Sequence, residues 1–180
     1  MTVLVVDNGS PYVKDIALCL DNLGQVYDLR KYDEKFLLSN YQKIILSGRR
    51  KNKKEINSIN SKVIKTCFNN EIPVLGICYG AEIIALTFGG SLHRTDLIQG
   101  VNRINIEKPT KLLGKSQCDV YESHSYAISH LPENFMCVAS SATSKHEIIC
   151  HESKRIFGTQ FHPEKSGECG IELISNFVNL

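Results

Sequence analysis

Ile72-Pro73-Val74-Leu75-Gly76-Ile77-Cys78-Tyr79-Gly80-Ala81-Glu82-Ile83-Ile84-Ala85-Leu86-Thr87-Phe88 changes character at its middle. Residues 72–77 are an apolar run of strand length, punctuated by Pro73, and residues 81–88 are a helical run. Gly76 and Gly80 flank Cys78, and glycines so placed permit a sharp strand-to-helix turn that pushes the central side chain out above a sheet. A strand that feeds a helix in this way is the building unit of an α/β fold. A cysteine on such a turn is also a candidate nucleophile, and the helix N-terminus predicts a lowered thiol pKa.

The same alternation extends toward the N-terminus. Residues 3–6 form a β-branched run that ends in a turn at Asp7-Asn8-Gly9, and Ser10 suits a helix N-cap with Pro11 at the first helical position. Val13, Ile16, Ala17, Leu20 and Leu23 recur at helical spacing, and Gly24 stops that helix. Residues 26–29 and 44–46 read as strands, with a short helical piece at 33–38. Ile56, Ile59, Val63, Ile64 and Phe68 mark the face of another helix. Right-handed crossovers between such strands predict a mostly parallel sheet with helices on both faces.

Beyond Gly89-Gly90 the pattern turns to strand-like runs at 101–106, 119–122, 135–139, 148–150 and 156–160. A closing helix at 170–178 should bury Ile171, Ile174 and Phe177. The expectation is one α/β domain over residues 1–180 with a more β-rich second half.

Bulk composition narrows the field without choosing a function. The 180 residues are 42% hydrophobic and 22% charged, as in ordinary globular chains, and the formal charge of +2 is too small for nucleic acid to be the main partner. Residues 49–54 concentrate five positive charges, a solvated loop or a docking surface for an acidic partner. Seven cysteines without a C-x-x-C pair read as reduced thiols in a cytoplasmic protein. They form no metal-ligand cluster with histidine, so no metal is expected. The apolar start at residues 1–7 is too short for a signal peptide or a membrane span, and no membrane partner is expected.

A cysteine nucleophile needs a base and an orienting group, and Phe161-His162-Pro163-Glu164 offers both. Positions two apart in an extended segment point to the same side, so His162 and Glu164 can face one site. The carboxylate would fix the imidazole tautomer while the other ring nitrogen takes the thiol proton. The other six cysteines read as buried structural residues. His93, His130, His146 and His151 lack any motif context.

Residues 74–80 and 158–164 together resemble the two signatures of the class I glutamine amidotransferases. Residues 5–9 resemble that family's opening strand and residues 170–177 its closing helix. The resemblance implies a Cys78, His162, Glu164 triad that hydrolyses L-glutamine to glutamate and ammonia, with no cofactor. It also implies an oxyanion site from the backbone of Tyr79 and of the Ser47-Gly48-Arg49 loop, and a substrate-holding segment at Ser123-His124-Ser125-Tyr126. A binding or structural role suits His124 better than a catalytic one.

Two positions depart from the family pattern. Ser47-Gly48-Arg49-Arg50 stands where relatives continue with Gly-Gly-Pro or Pro-Gly-Pro, which puts the oxyanion loop's conformation in question. Glu82 stands where relatives place a substrate-contacting glutamine, and an ionised carboxylate there would oppose the thiolate. Gly114-Lys115-Ser116 is no phosphate loop, because Pro109 occupies the place of its first glycine. A nucleotide-activating domain does not fit within 180 residues, so the resemblance points to a separate ammonia-accepting synthase subunit. Asp7-Asn8-Gly9-Ser10-Pro11-Tyr12-Val13 resembles the GMP synthase branch, whereas the Ser-His-Ser-Tyr segment is closer to glutaminases of anthranilate or aminodeoxychorismate synthase. A glutamine-binding regulatory subunit with impaired catalysis is the remaining alternative.

Overall fold

Val3, Leu4, Val5 and Val6 are all buried, which happens when a strand is covered on both faces. They belong to β1 (Thr2–Asp7), the first strand of a computed structural model that describes residues 2–180. The chain continues through α1 (Val13–Asn22), β2 (Val26–Lys31), β3 (Lys43–Leu46), α2 (Lys54–Asn69), β4 (Val74–Ile77) and α3 (Tyr79–Thr87). Then come β5 (Ser91–Ile106), β6 (Gln117–His130), β7 (Phe135–Ser141), β8 (Ile148–His151), β9 (Ile156–Thr159) and α4 (Gly167–Val178).

The nine strands form one sheet in the order β2-β1-β3-β4-β9-β8-β7-β5-β6. Pairings from β2 through β9 are parallel, and those from β9 through β6 are antiparallel. The α/β expectation holds, and the sheet is mixed, parallel from β2 to β9 and antiparallel beyond it. Side chains alternate across it. Val3, Val5, Ile45, Leu75 and Ile77 pack with Ile16 and Leu20 of α1 and with Leu173, Ile174 and Phe177 of α4. Leu4, Val6, Ile44, Leu46 and Val74 pack on the other face with Ile56, Val63 and Ile64 of α2 and Ile83 and Ile84 of α3.

Several local expectations shift. The helical piece foreseen at 33–38 is a short 3-10 turn at Leu38–Asn40. Ser10 does not cap α1: Tyr12 holds the cap position, and Ser10 Oγ instead accepts the Tyr12 N–H at 3.1 Å. On α2 the inward face carries Asn60 rather than Ile59, and on α4 Ile171 is 45% exposed while Ile174 and Phe177 are buried. β5 and β6 are far longer than the runs at 101–106 and 119–122, because ladder pairing carries polar residues 91–100 along.

The cysteines also differ from the reading as seven reduced thiols. Cys118 on β6 and Cys169 on α4 are joined in a disulfide across 51 residues of sequence. Short-range spacing rules cannot see such a pair. Cys67 and Cys150 are buried free thiols, while Cys19 and Cys137 are only half-buried.

Candidate active site

β4 is an inner strand of the parallel half, with β3 on one side and β9 on the other. At its end Cys78 takes φ 53° and ψ −106°, a left-handed conformation that L side chains seldom adopt. The turn is clamped. Cys78 N–H donates to Thr159 O at 2.7 Å, and Cys78 O accepts the N–H groups of Ala81 at 2.9 Å and Glu82 at 3.1 Å. Gly76 and Gly80 serve this turn by close approach: a Cβ on Gly76 would strike the backbone of Gly80, and one on Gly80 would strike Leu46 O.

His162 follows β9 by three residues, so the Thr159 clamp brings it to the same end of the sheet as Cys78. A Cβ on Gly48 would lie 3.1 Å from His162 Cε1, 3.4 Å from Ser10 Oγ and 3.8 Å from Cys78 Cβ. The glycine is therefore wedged against the histidine, where any side chain would crowd the imidazole. His162 Nδ1 and Glu164 Oε1 are 2.8 Å apart in a buried pair, leaving Nε2 as the ring nitrogen without a hydrogen bond. The thiol itself is directed to Ser123 O at 3.9 Å.

Residues that the sequence did not flag hold this arrangement. Tyr12 packs edge-on against the His162 ring at 4.8 Å, with its hydroxyl 3.3 Å from that of Tyr121. Tyr121 O in turn accepts the His162 N–H at 2.8 Å. The Ser47-Gly48 loop is held by Asn8, whose N–H donates to Ser47 Oγ at 2.9 Å and whose amide donates to Ser47 O at 3.1 Å. Buried Asn60 closes on the Asn8 amide at 2.7 and 3.2 Å. The sequence carried no signal for this role of Asn60, since nothing local distinguishes a buried asparagine from an exposed one.

Arg49 does not form an ion pair with Glu82. Its guanidinium lies 3.8 Å over the Tyr79 ring, and its Nη1 donates to Asn57 Oδ1 at 2.6 Å. Tyr79 OH donates to the same oxygen at 3.0 Å. Of the segment 123–126, Ser123 borders the thiol, Ser125 lines a surface depression with Thr95 and Leu97, and Tyr126 is 44% exposed. His124 is buried and turned away, with Nε2 3.1 Å from Glu122 Oε2 and Nδ1 2.9 Å from Tyr126 O.

Electrostatics at the thiol run opposite to the expected effect of the helix terminus. Burial first, and then the Glu82 carboxyl, push the Cys78 thiol well above its ordinary range. The Tyr79 N–H pulls it down, as does Arg49 at longer range, and neither outweighs the burial. Glu82 is likewise raised by burial, against the lowering influence of Gln160, Arg49, His124 and His162. A strained cysteine, a carboxylate-held histidine and a glycine loop between them can perform nucleophilic acyl chemistry.

The sequence pattern described as glutamine amidotransferase class-I matches residues 4–180. The chain belongs to this family. Glutamine-hydrolysing GMP synthases of Petrotoga mobilis and Histophilus somni are each 33% identical to it over 98% of its length. The chain spans 35% and 36% of those two proteins. A Thermoplasma acidophilum protein provisionally assigned as one component of GMP synthase has a solved structure that is 30% identical. It superposes with a TM-score of 0.90 over 99% of this chain and 92% of that one. A Thermotoga maritima glutamine amidotransferase shares the fold at a TM-score of 0.78 and 19% identity. Among the described residues of this amidotransferase, no helix is long and apolar enough to cross a membrane.

Proposed function

We propose that residues 1–180 are a glutaminase domain in which Cys78, His162 and Glu164 hydrolyse L-glutamine and supply ammonia to a separate synthase subunit, that of GMP synthase. The observation that carries this reading is the strained Cys78 at the end of β4, beside Gly48 and the His162–Glu164 pair. Glu164 accepts a hydrogen bond from Nδ1–H, so Nε2 is free to take the thiol proton as sulfur attacks the side-chain amide. The carbonyl oxygen becomes an oxyanion stabilised by the N–H of Tyr79 and an N–H of the Gly48-Arg49 loop. Its collapse expels ammonia, which takes its proton from the His162 imidazolium and leaves a γ-glutamyl thioester. Water, deprotonated by His162, then releases glutamate and returns the thiol.

The high resting thiol pKa fits a site where ionisation accompanies substrate binding rather than preceding it. The GMP branch is supported by the glutamine-hydrolysing GMP synthases among the relatives and by the Thermoplasma neighbour. Lys51, Lys53 and Lys54 are exposed immediately after the oxyanion loop and suit contact with an acidic surface of the synthase. A cytoplasmic location follows from this assignment.

Glutamate release from glutamine, with and without the synthase partner, tests the proposal. Cys78→Ser should abolish release while leaving the fold intact, since an alcohol is a far weaker nucleophile at neutral pH. Retained turnover in that variant would refute the triad. GMP formation from glutamine only when this chain is combined with the synthase component of GMP synthase would establish the acceptor, and the absence of GMP would remove it.

A further inference from the structure

α3 is buried on nearly every side, and Glu82 sits in it at 6% exposure, one helical turn after Cys78. A carboxylate in such a place is costly unless a cation or several donors meet it. No cation does so among the described residues. The Arg49 guanidinium of the β3–α2 loop is taken up by Tyr79 and Asn57, and His124 of β6 and His162 after β9 act on Glu82 only through space. Its one hydrogen-bond partner is Gln160, whose Nε2 lies 3.5 Å from Glu82 Oε1.

Gln160 supplies an independent observation. It is fully buried, and its Oε1 has no donor. A carboxylate cannot supply one, because it only accepts hydrogen bonds and would face the amide oxygen with like partial charge. A carboxylic acid can. Its O–H would donate to the amide oxygen while its carbonyl accepts the amide N–H, and such a reciprocal pair would satisfy both side chains.

We propose that Glu82 is a positioning residue held as a neutral acid against the Gln160 amide, and that its proton controls how readily the adjacent Cys78 becomes a thiolate. The proposal rests on Cys78 being the glutaminase nucleophile. While Glu82 keeps its proton, only burial and the more distant Glu164 oppose the thiolate. When Glu82 loses it, a second buried anion stands one turn away. Arg49 acts on both groups and partly offsets that repulsion, and His124 and His162 add positive charge whenever they are protonated.

Two measurements on the full chain test this. The rate of Cys78 alkylation by iodoacetamide is followed against pH in the wild type and in Glu82→Gln, whose amide can still pair reciprocally with Gln160. The ratio of variant to wild-type rate should climb roughly tenfold from the ordinary carboxylate range to alkaline pH, as the wild-type acid ionises. A ratio flat across that range, whether high or low, would overturn the proposal. Infrared spectroscopy supplies the second readout: near neutral pH, a carboxylic-acid carbonyl band should be present and should vanish in Glu82→Gln. Glu147→Gln identifies any band that belongs to Glu147. A spectrum in which Glu82→Gln removes no acid band would equally overturn it. The infrared result is independent of glutaminase turnover, so labelling of a cysteine other than Cys78 by a glutamine-mimicking electrophile would sink the functional reading separately.

Discussion

Glu122–His124 on β6 and His162–Glu164 after β9 are two buried histidine–carboxylate pairs built on the same spacing of two residues, 3.1 and 2.8 Å long. Their surroundings differ at the second ring nitrogen. His162 gives Nδ1 to its carboxylate and keeps Nε2 free at the Cys78 end of the sheet. His124 gives Nε2 to Glu122, while its Nδ1 faces Tyr126 O and must carry a proton there, because a carbonyl only accepts. Glu122 is also crowded. Thr143 Oγ1 lies 3.1 and 3.2 Å from its two oxygens, and the Thr143 hydroxyl meets Ser141, whose Oγ donates to buried Glu147 at 2.6 Å. One dyad is equipped to move a proton, and the other locks a strand beside the thiol. A histidine–glutamate pair becomes a base only where the fold leaves a ring nitrogen unspent.

The strongest way to break this comparison is to remove each imidazole. His162→Ala should reduce kcat for glutamate release by about a thousandfold or more, as expected for loss of both general base and general acid. His124→Ala should act mainly on thermal stability and KM. Equal losses of kcat in the two variants would erase the distinction.

Neutralising the carboxylates sharpens it. Glu164→Gln should lower kcat by roughly a hundredfold to ten-thousandfold with KM little changed, because the imidazole loses the partner that fixes its tautomer. Glu122→Gln should instead shift KM, since its histidine holds the Ser123–Tyr126 segment rather than moving a proton. Steady-state kinetics of the two variants separates these outcomes.

The smallest effect concerns the pH dependence of stability. Burial, and then the neighbouring Glu122, push Glu147 from an ordinary 4.5 up to about 8. The folded protein thus holds a proton that the unfolded chain releases near 4.5. Its stabilising contribution is complete below that pH and is lost as pH rises through about 8. Glu122 is shifted the other way, its lowering led by the hydrogen bond with His124 against burial, so its contribution is lost as pH falls. Denaturant unfolding of Glu147→Gln should lack the alkaline decline. Persistence of the decline in Glu147→Gln would assign it elsewhere.

Much of this molecule could be read locally. Gly76-Ile77-Cys78-Tyr79-Gly80 identified the turn because an apolar strand, two glycines and a helical run all act within a few residues. The buried β1, β3 and β4 were visible for the same reason, as were Ile174 and Phe177 of α4. The polar first half of β5 was not, since its strand character comes from pairing with β6 rather than from its own side chains.

The residues of the candidate site divide along the same line. Sequence by itself determined the chemistry on offer: a cysteine at a strand-to-helix turn and a histidine two residues from a glutamate, which the fold carries on a 3-10 turn at Pro163–Lys165 rather than in the extended chain expected. Tertiary structure alone decided which of the two His–Glu pairs keeps a free nitrogen, and that Asn60 crosses to Asn8 to hold the Gly48 loop. It also decided that burial outweighs the helix terminus at Cys78, and that Glu82 faces Gln160 instead of Arg49. The physical reason is range. Backbone geometry and hydrophobic periodicity act between near neighbours in the chain, whereas desolvation and hydrogen-bond pairing depend on whatever distant segment the fold packs against a side chain.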